Sequence, residues 1–319
     1  MGRTATKKAG RGKRKKIETS DAPRVVTINA ALLRRWPLPE PDEGGDKEER
    51  GRVLVVGGSR EMPGAVVLAA TAALRAGAGK LQIATVRSAA QTVAVAVPEA
   101  RVFALPETDG GGLAAESVAA IADYVAEARA VLIGPGMCDE GATAHFTRAL
   151  LPHITRATLV LDADALNVLA NEPDLLKRLV GRAILTPHAT EASEITGRDE
   201  DSIKSDPAGA AQAAARRFGC VVALKGRETF VAAPDPRDIF RNTAGNVGLA
   251  TSGSGDTLAG LIAGLAARGA APQQAAAWGV HVHALAGERL ARSVGALGYL
   301  ARELIEEFPR VLASLSRRQ

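Results

Sequence analysis

The arrangement best suited to chemistry in this sequence is an aspartate behind a run of glycines at the start of an apolar segment. Asn246-Val-Gly-Leu-Ala-Thr-Ser-Gly-Ser-Gly-Asp256 runs directly into Thr257-Leu-Ala-Gly-Leu-Ile-Ala-Gly-Leu265. A Gly-rich turn feeding a helix leaves backbone N–H groups unpaired at the helix start. Those donors and the positive end of the helix dipole form a hole for phosphate oxygens. Glycines at 253 and 255, with Ser254 between them, let the backbone approach such an anion closely. Asp256 sits at the mouth, where the dipole is expected to favour its ionised form. A carboxylate there can take a proton from a hydroxyl while the amides hold charge moving between phosphates. Phosphoryl transfer has a loose transition state, so positioning matters more than base strength. The plainer alternative is an ordinary helix with Asp256 as a capping residue.

The rest of the chain has to bring a substrate to that point. From Arg52 onward, short β-branched runs alternate with Ala-rich helical patterns. The runs are Arg52 to Gly57, Lys80 to Thr85, Val131 to Ile133, Thr158 to Leu161, Ala183 to Leu185 and Val221 to Leu224. Between them, 64–75, 114–128 and 208–218 read as helices. Alternation of this kind predicts an α/β fold, a mainly parallel sheet with helices on both faces. Thr229 to Ala232 and Asp238 to Arg241 read as an antiparallel pair closing the series. In such sheets ligands bind beyond the carboxyl ends of the strands. Five polar or Gly-rich segments fall at those ends: Gly57-Gly-Ser59, Gly134-Pro-Gly136, Asp162-Ala-Asp164, Thr186-Pro-His188 and Lys225-Gly226. Their convergence on one edge is a stronger signal than any one of them. Asp162 and Asp164 are open to two readings, as substrate or magnesium contacts or as helix caps. Lys225 as a solvated strand end and His188 as a turn residue are the plain alternatives for those two.

Other motifs fail on inspection. Gly79-Lys80 is followed by Leu81 and precedes a strand, so it is no P-loop, and Gln82 stands where a dinucleotide fingerprint needs glycine. Ser254 lacks the flanking glycines of a hydrolase nucleophile at ±2. His281 and His283 are two apart on a helix and point to different faces, which reads as structural. The two cysteines, Cys138 and Cys220, have no metal-ligand spacing and read as buried small hydrophobes in a reducing compartment. No apolar run suits a membrane span, and no apolar stretch follows the N-terminal charges as in a secretory signal, so a cytoplasmic location is expected.

The net charge of +5 is unevenly distributed. Residues 1–16 hold eight Lys or Arg and no acid, leaving 32 basic against 35 acidic residues elsewhere. Residues 1–22 therefore read as a disordered basic tail, and nucleic acid as an improbable partner for it. Residues 23–319 read as a single domain, with an exposed loop from Pro37 to Arg50 before the main sheet.

Taken in order, these segments resemble the ADP/ATP-dependent NAD(P)H-hydrate dehydratases, which have a ribokinase-like fold. The resemblance runs from about Arg52 to Pro309. It rests on Gly57-Gly-Ser59 with Pro63-Gly-Ala65, Arg75-Ala-Gly-Ala-Gly79, Gly134-Pro-Gly136, Leu161-Asp-Ala-Asp-Ala-Leu-Asn167, Leu185-Thr-Pro-His188, Leu224-Lys-Gly226 and the block around Asp256. Met137-Cys138 and Glu61-Met62-Pro63 depart from the family pattern in the substrate loops. The resemblance implies a repair reaction in which hydrated NADH or NADPH is dehydrated with consumption of a nucleotide, ADP or ATP. Hydroxide leaves poorly and phosphate leaves well, so phosphorylating the ring hydroxyl makes the elimination easy. By position, Ala65, Gly136, His188 and Asp256 would contact the hydrated cofactor. Lys225, Gly226, Arg227, Glu228 and Thr229, with Gly253, Ser254 and Gly255, would hold the nucleotide, and magnesium would bridge its phosphates. The resemblance also implies a homo-oligomer, perhaps tetrameric, and any epimerase partner as a separate protein. A ribokinase-like vitamin or sugar kinase would share the anion hole and Asp256; a nucleotide-binding regulator that keeps the fold without turnover is a third reading, supported by the basic tail and opposed by the intact Asp256.

Overall fold

The computed structural model describes residues 1–2, 23–40, 44, 46–235 and 237–316. The basic tail, over 3–22, lies outside them, as does part of the Pro37–Arg50 loop. Ten strands form one sheet: β1 (Arg24–Thr27), β2 (Arg52–Val56), β3 (Lys80–Val86), β4 (Ala100–Leu105), β5 (Ala130–Ile133), β6 (Thr158–Leu161), β7 (Ala183–Leu185), β8 (Val221–Leu224), β9 (Thr229–Ala232) and β10 (Asp238–Asn242). Their order is β1-β10-β9-β8-β7-β6-β5-β2-β3-β4. Only β9 runs against its neighbours; every other pairing is parallel. Val53 to Val56 and Ala130 to Ile133 are buried at every position, so both sheet faces must be covered, as a parallel sheet requires.

Two strands escape the sequence pattern, and both are edges. β1 is exposed at three of its four positions, and β4 is fully buried only at Leu105. The 114–128 segment also differs from expectation. Instead of one helix it forms a 3₁₀ turn, Ala115–Ala120, and a short helix, Ala122–Glu127. The Ser117 hydroxyl donates to the Ala114 carbonyl at 2.5 Å, a local bond that competes with the regular helical ladder.

The Ser254–Ala267 helix that carries Asp256 is buried along almost its whole length. Gly260 and Gly264 lie one above the other on the same face. A Cβ at either position would overlap the carbonyl oxygens of Ala69 and Ala73 in the Pro63–Arg75 helix. The two backbones are therefore in direct contact, which any side chain would prevent. This seam fixes the Ser254–Ala267 helix against the helix that follows β2.

Candidate active site

The five segments singled out above end β2, β5, β6, β7 and β8, which are consecutive neighbours and all parallel. Their loops therefore share one edge of the sheet. The loops after β2 and β5 meet through backbone: the Gly58 N–H donates to the Pro135 carbonyl at 2.7 Å. Gly136 adopts φ +70°, and a Cβ there would lie 2.5 Å from the Met62 carbonyl oxygen and 2.9 Å from the Ala65 Cβ. Gly136 and the buried Ala65 are thus brought together as one small, closely packed wall.

The loops after β6, β7 and β8 meet through charged side chains. Lys225 Nζ donates to Asp162 Oδ1 at 3.0 Å and lies 3.7 Å from Glu191 Oε2. The Thr186 hydroxyl donates to the same Asp162 oxygen at 2.6 Å. Asp162 is 2% exposed, which leaves its charge dependent on these partners. It makes no capping bond, so of its two sequence readings the cap fails. Lys225 is no solvated strand end either. Burial opposes its charge, but Asp162, Glu191 and Asp256 together hold the ammonium above its ordinary value. Its Nζ lies 3.6 Å from where a Cβ on Gly255 would be, so the ammonium sits over the start of the Ser254–Ala267 helix.

His188 caps the Ala189–Thr196 helix in a reciprocal box. Its Nδ1 accepts from the Glu191 N–H at 3.3 Å, and its own N–H donates to Glu191 Oε2 at 2.7 Å. The side chain is half-exposed, and its Nε2 lies 3.6 Å from Glu191 Oε1.

At the helix itself, Gly253 is the left-handed N-cap and Asp256 is the third helical residue, without a capping bond. The capping alternative for Asp256 therefore also fails. The expectation that the dipole keeps it ionised is corrected as well. Burial first, and then the negative charge of Asp162, push its carboxyl up to about 7, against the opposing pull of Lys225. A base titrating near neutrality is matched to proton transfer at cellular pH.

A cavity of about 970 Å³ opens beside this point. Lys225, Gly226, Arg227, Thr229, Ser254 and Gly255 line it, and so does His188. Two of the expected nucleotide residues do not. Gly253 lies behind the helix start, against Leu68 and Ala301, and the Glu228 carboxylate accepts from Arg241 at 2.5 Å. His188, expected on the substrate side, lines the same cavity as the residues expected to hold the nucleotide. Ala65, Gly136 and Asp256 lie outside the cavity lining.

A profile of the NAD(P)H-hydrate dehydratase family matches residues 53–310. The chain belongs to this family. It is 48% identical over 295 residues to the ADP-dependent (S)-NAD(P)H-hydrate dehydratase of Xanthomonas campestris pv. campestris, covering 92% of this chain and 99% of that one. A bifunctional NAD(P)H-hydrate repair enzyme of Moorella thermoacetica is 40% identical over 281 residues, covering 88% of this chain. The match takes in 53% of that protein, so the chain spans about half the length of such bifunctional relatives. Among solved structures, the ADP/ATP-dependent NAD(P)H-hydrate dehydratase of Bacillus subtilis, co-crystallised with ATP/Mg2+, superposes with a TM-score of 0.73 at 30% identity, covering 92% of this chain and all of that one. A ribokinase-like superfamily protein of Enterococcus faecalis superposes at 0.80 with 23% identity, covering 95% of this chain and 99% of that one, which shows the fold alone. The fold is ribokinase-like.

Sequence reasoning on this dehydratase-family chain missed two participants. Glu191 was not singled out, although a Glu three residues after His188 is the spacing of a capping box. His283 reads as structural in the sequence, and its ring in fact reaches Ser254 at the start of the helix that carries Asp256. Its Nε2 lies 3.1 Å from the Ser254 carbonyl oxygen and 3.2 Å from the Ser254 hydroxyl, and it lines the cavity. Burial pushes the imidazole down to about 4, so it is neutral and donates from Nε2 to that carbonyl. No periodicity in the sequence reveals this contact across 29 residues. His281 has the structural role expected of it, with Nδ1 2.8 Å from Asn242 Oδ1. The cysteines divide: Cys220 is buried, but Cys138 is exposed, contrary to expectation, because it follows the Gly-Pro-Gly turn onto the surface.

Proposed function

We propose that this protein is an ADP-dependent (6S)-NAD(P)H-hydrate dehydratase, a hydro-lyase that restores NADH or NADPH from its hydrated form. The observation that carries this reading is the Lys225 ammonium set over Gly255, with the Asp256 carboxyl one residue further on, in a chain of this family.

The nucleotide's terminal phosphates occupy the start of the Ser254–Ala267 helix, where free amides and Lys225 oppose their charge. The hydrated nicotinamide lies against the Ala65–Gly136 wall with its ring hydroxyl at Asp256. Asp256 takes the hydroxyl proton as the oxygen attacks the β-phosphorus of ADP, and AMP departs. The electron pair on the ring nitrogen then expels the phosphate, and loss of a ring proton from the adjacent carbon restores the double bond. The net change is hydrate plus ADP to NAD(P)H, AMP and inorganic phosphate, with the oxygen of the added water leaving in the phosphate.

Magnesium fits this arrangement as an ion held chiefly by nucleotide oxygens. Magnesium at phosphates is usually bound through one or two carboxylates and the phosphate oxygens; among the described residues no group of three or more His, Cys, Asp or Glu could hold a metal ion by itself. Asp164, two residues beyond Asp162, is the carboxylate of this chain that would reach such an ion. Burial, then Glu191, Glu140, Glu194 and Asp162, raise its carboxyl, so it sits in unrelieved negative charge. The ion would offset phosphate charge.

Residues 23–319 act as a single domain in this reading, in the cytoplasm and as a homo-oligomer. No helix among the described residues is long and apolar enough to cross a membrane.

Phosphorus NMR on protein, hydrated NADH and ADP tests the reaction. One AMP and one free phosphate are expected for each NADH restored, with no surviving ester. A persistent phosphate ester would instead establish a small-molecule kinase. Restoration of NADH without nucleotide consumption would defeat both readings.

A further inference from the structure

Asp162 has no place in the steps above, yet it is the most completely enclosed charge at the site. It is 2% exposed at the end of β6, and one of its oxygens receives both Lys225 Nζ and the Thr186 hydroxyl. β6 and β8 flank β7, so the topology itself sets Asp162 beside Lys225. Ion pairs enclosed to this degree are costly to desolvate and contribute little to stability compared with apolar packing. A role in the site's electrostatics explains the pair better than a role in the core.

From this geometry we propose that Asp162 is a positioning residue, which holds the Lys225 ammonium over the start of the Ser254–Ala267 helix and thereby keeps it from neutralising Asp256. Lys225 has two possible uses, and they conflict. Over Gly255 it opposes phosphate charge. Turned onto Asp256 it would stabilise the ionised carboxylate and make it a poorer base. Asp162 and Thr186 tether it to the first use. The other titratable groups around the pair are Asp164 beside Asp162, His188 and Glu191 on the Ala189–Thr196 helix, and the neutral His283 on the Pro272–Ser293 helix. None of these replaces Asp162, because Glu191 stands further from Nζ and is already committed to the His188 cap.

The charges around Asp256 agree with this division. Asp162 raises its proton affinity and Lys225 lowers it. Removing the Asp162 charge takes away a repulsion and frees Lys225, and both changes act downward. Removing the Lys225 charge acts upward.

The inference rests on the phosphoryl-transfer reading, but its test does not need turnover. Carbon-13 NMR of carboxyl-labelled aspartate follows the Asp256 titration directly, with the resonance assigned by its loss in Asp256→Asn. The wild-type midpoint is expected near 7. Asp162→Asn is expected to move it down by about one unit, a tenfold change in proton affinity, and Lys225→Met to move it up. Calorimetry with ADP should show weaker binding in Lys225→Met and also in Asp162→Asn, where loss of the carboxylate charge alone would tighten binding and only release of the lysine weakens it; tighter binding there would overturn the proposal. Should Asp162→Asn fail to fold with its lysine unpaired, the double variant Asp162→Asn/Lys225→Met buries no lone charge and replaces it. With no lysine to position, its ADP affinity is then expected to be no weaker than that of Lys225→Met alone. An Asp256 midpoint that does not respond to the Asp162 charge in a folded variant would overturn the proposal. Failure of the phosphorus NMR experiment above would remove the dehydratase reading while leaving this titration intact.

Discussion

The two halves of the strand-end edge are made of different materials. After β2 and β5 the loops are backbone and small residues: the Gly58 amide on the Pro135 carbonyl, and Gly136 against Ala65 with no room for a methyl group. After β6, β7 and β8 the loops are charged side chains in mutual contact, Asp162, Lys225 and Glu191, with Thr186 and His188 completing the set. Asp256 belongs to a helix that touches both: it packs on the Pro63–Arg75 helix of the first half and carries its carboxyl within the field of Asp162 and Lys225 in the second. The first half selects by shape and gains its precision from what is missing. The second half works by charge and gains its precision from partners. Substitutions should therefore fail differently on the two sides: adding an atom damages the first, and removing a charge damages the second.

The largest effect is expected at the boundary. Asp256→Asn keeps the shape but cannot take a proton, so turnover should fall by a factor of roughly 10² to 10⁴, with ADP affinity within a few-fold of wild type. Single-turnover kinetics and calorimetry measure both, and near-normal rates in the variant would remove Asp256 from the chemistry. The same carboxyl makes a pH-dependent statement about stability. Its folded value of about 7 lies above the ordinary carboxylate value, so folding favours the protonated form. The contribution to stability is complete below the unfolded value near 4 and is lost as pH rises through about 7. Asp256→Asn should accordingly raise the melting temperature more at pH 8 than at pH 5. An equal shift at both would contradict the burial of the charge. In wild type the rate should climb with pH through the same region, because only the ionised form accepts a proton.

A smaller and different loss is expected from Gly136→Ala. The methyl would meet the Met62 carbonyl oxygen at 2.5 Å in a backbone conformation, φ +70°, that disfavours a side chain. The cost should be about 1–3 kcal/mol of stability by denaturant unfolding, together with a raised KM for the hydrated cofactor. ADP affinity should be unchanged, since Gly136 does not line the cavity proposed to hold the nucleotide. Loss of ADP binding without loss of stability would mean that the two halves are not separable.

The same contrast explains what could be read from the sequence. The central strands are legible because full burial demands unbroken apolar runs, as in Val53 to Val56. The edges β1 and β4 are not, because partial exposure permits mixed residues such as those of Arg24–Thr27. The glycine half of the site is legible as well, because its function is written as residue type in short contiguous motifs. The charged half is legible only as separate letters. Asp162 and Lys225 are 63 residues apart, and only the order β6-β7-β8 makes them a pair. Asp256 could be found by motif, but its proton affinity could not, since the expected dipole effect is outweighed by burial and by an aspartate from another strand.

The smallest effect tests whether the first half is truly a matter of backbone. Cys138 follows the Gly-Pro-Gly turn, is exposed, and makes only a weak contact from Sγ to the Gly136 carbonyl at 3.6 Å. It is the most chemically reactive side chain near that wall. If the wall works by shape alone, Cys138→Ser should leave the KM for hydrated cofactor within about two-fold and stability within about 0.5 kcal/mol. Steady-state kinetics beside denaturant unfolding would show it. A large rise in KM with unchanged stability would mean that a side chain, not the turn beneath it, holds the substrate. The division between a shape-selecting half and a charge-bearing half would then have to be redrawn with Cys138 on the working side.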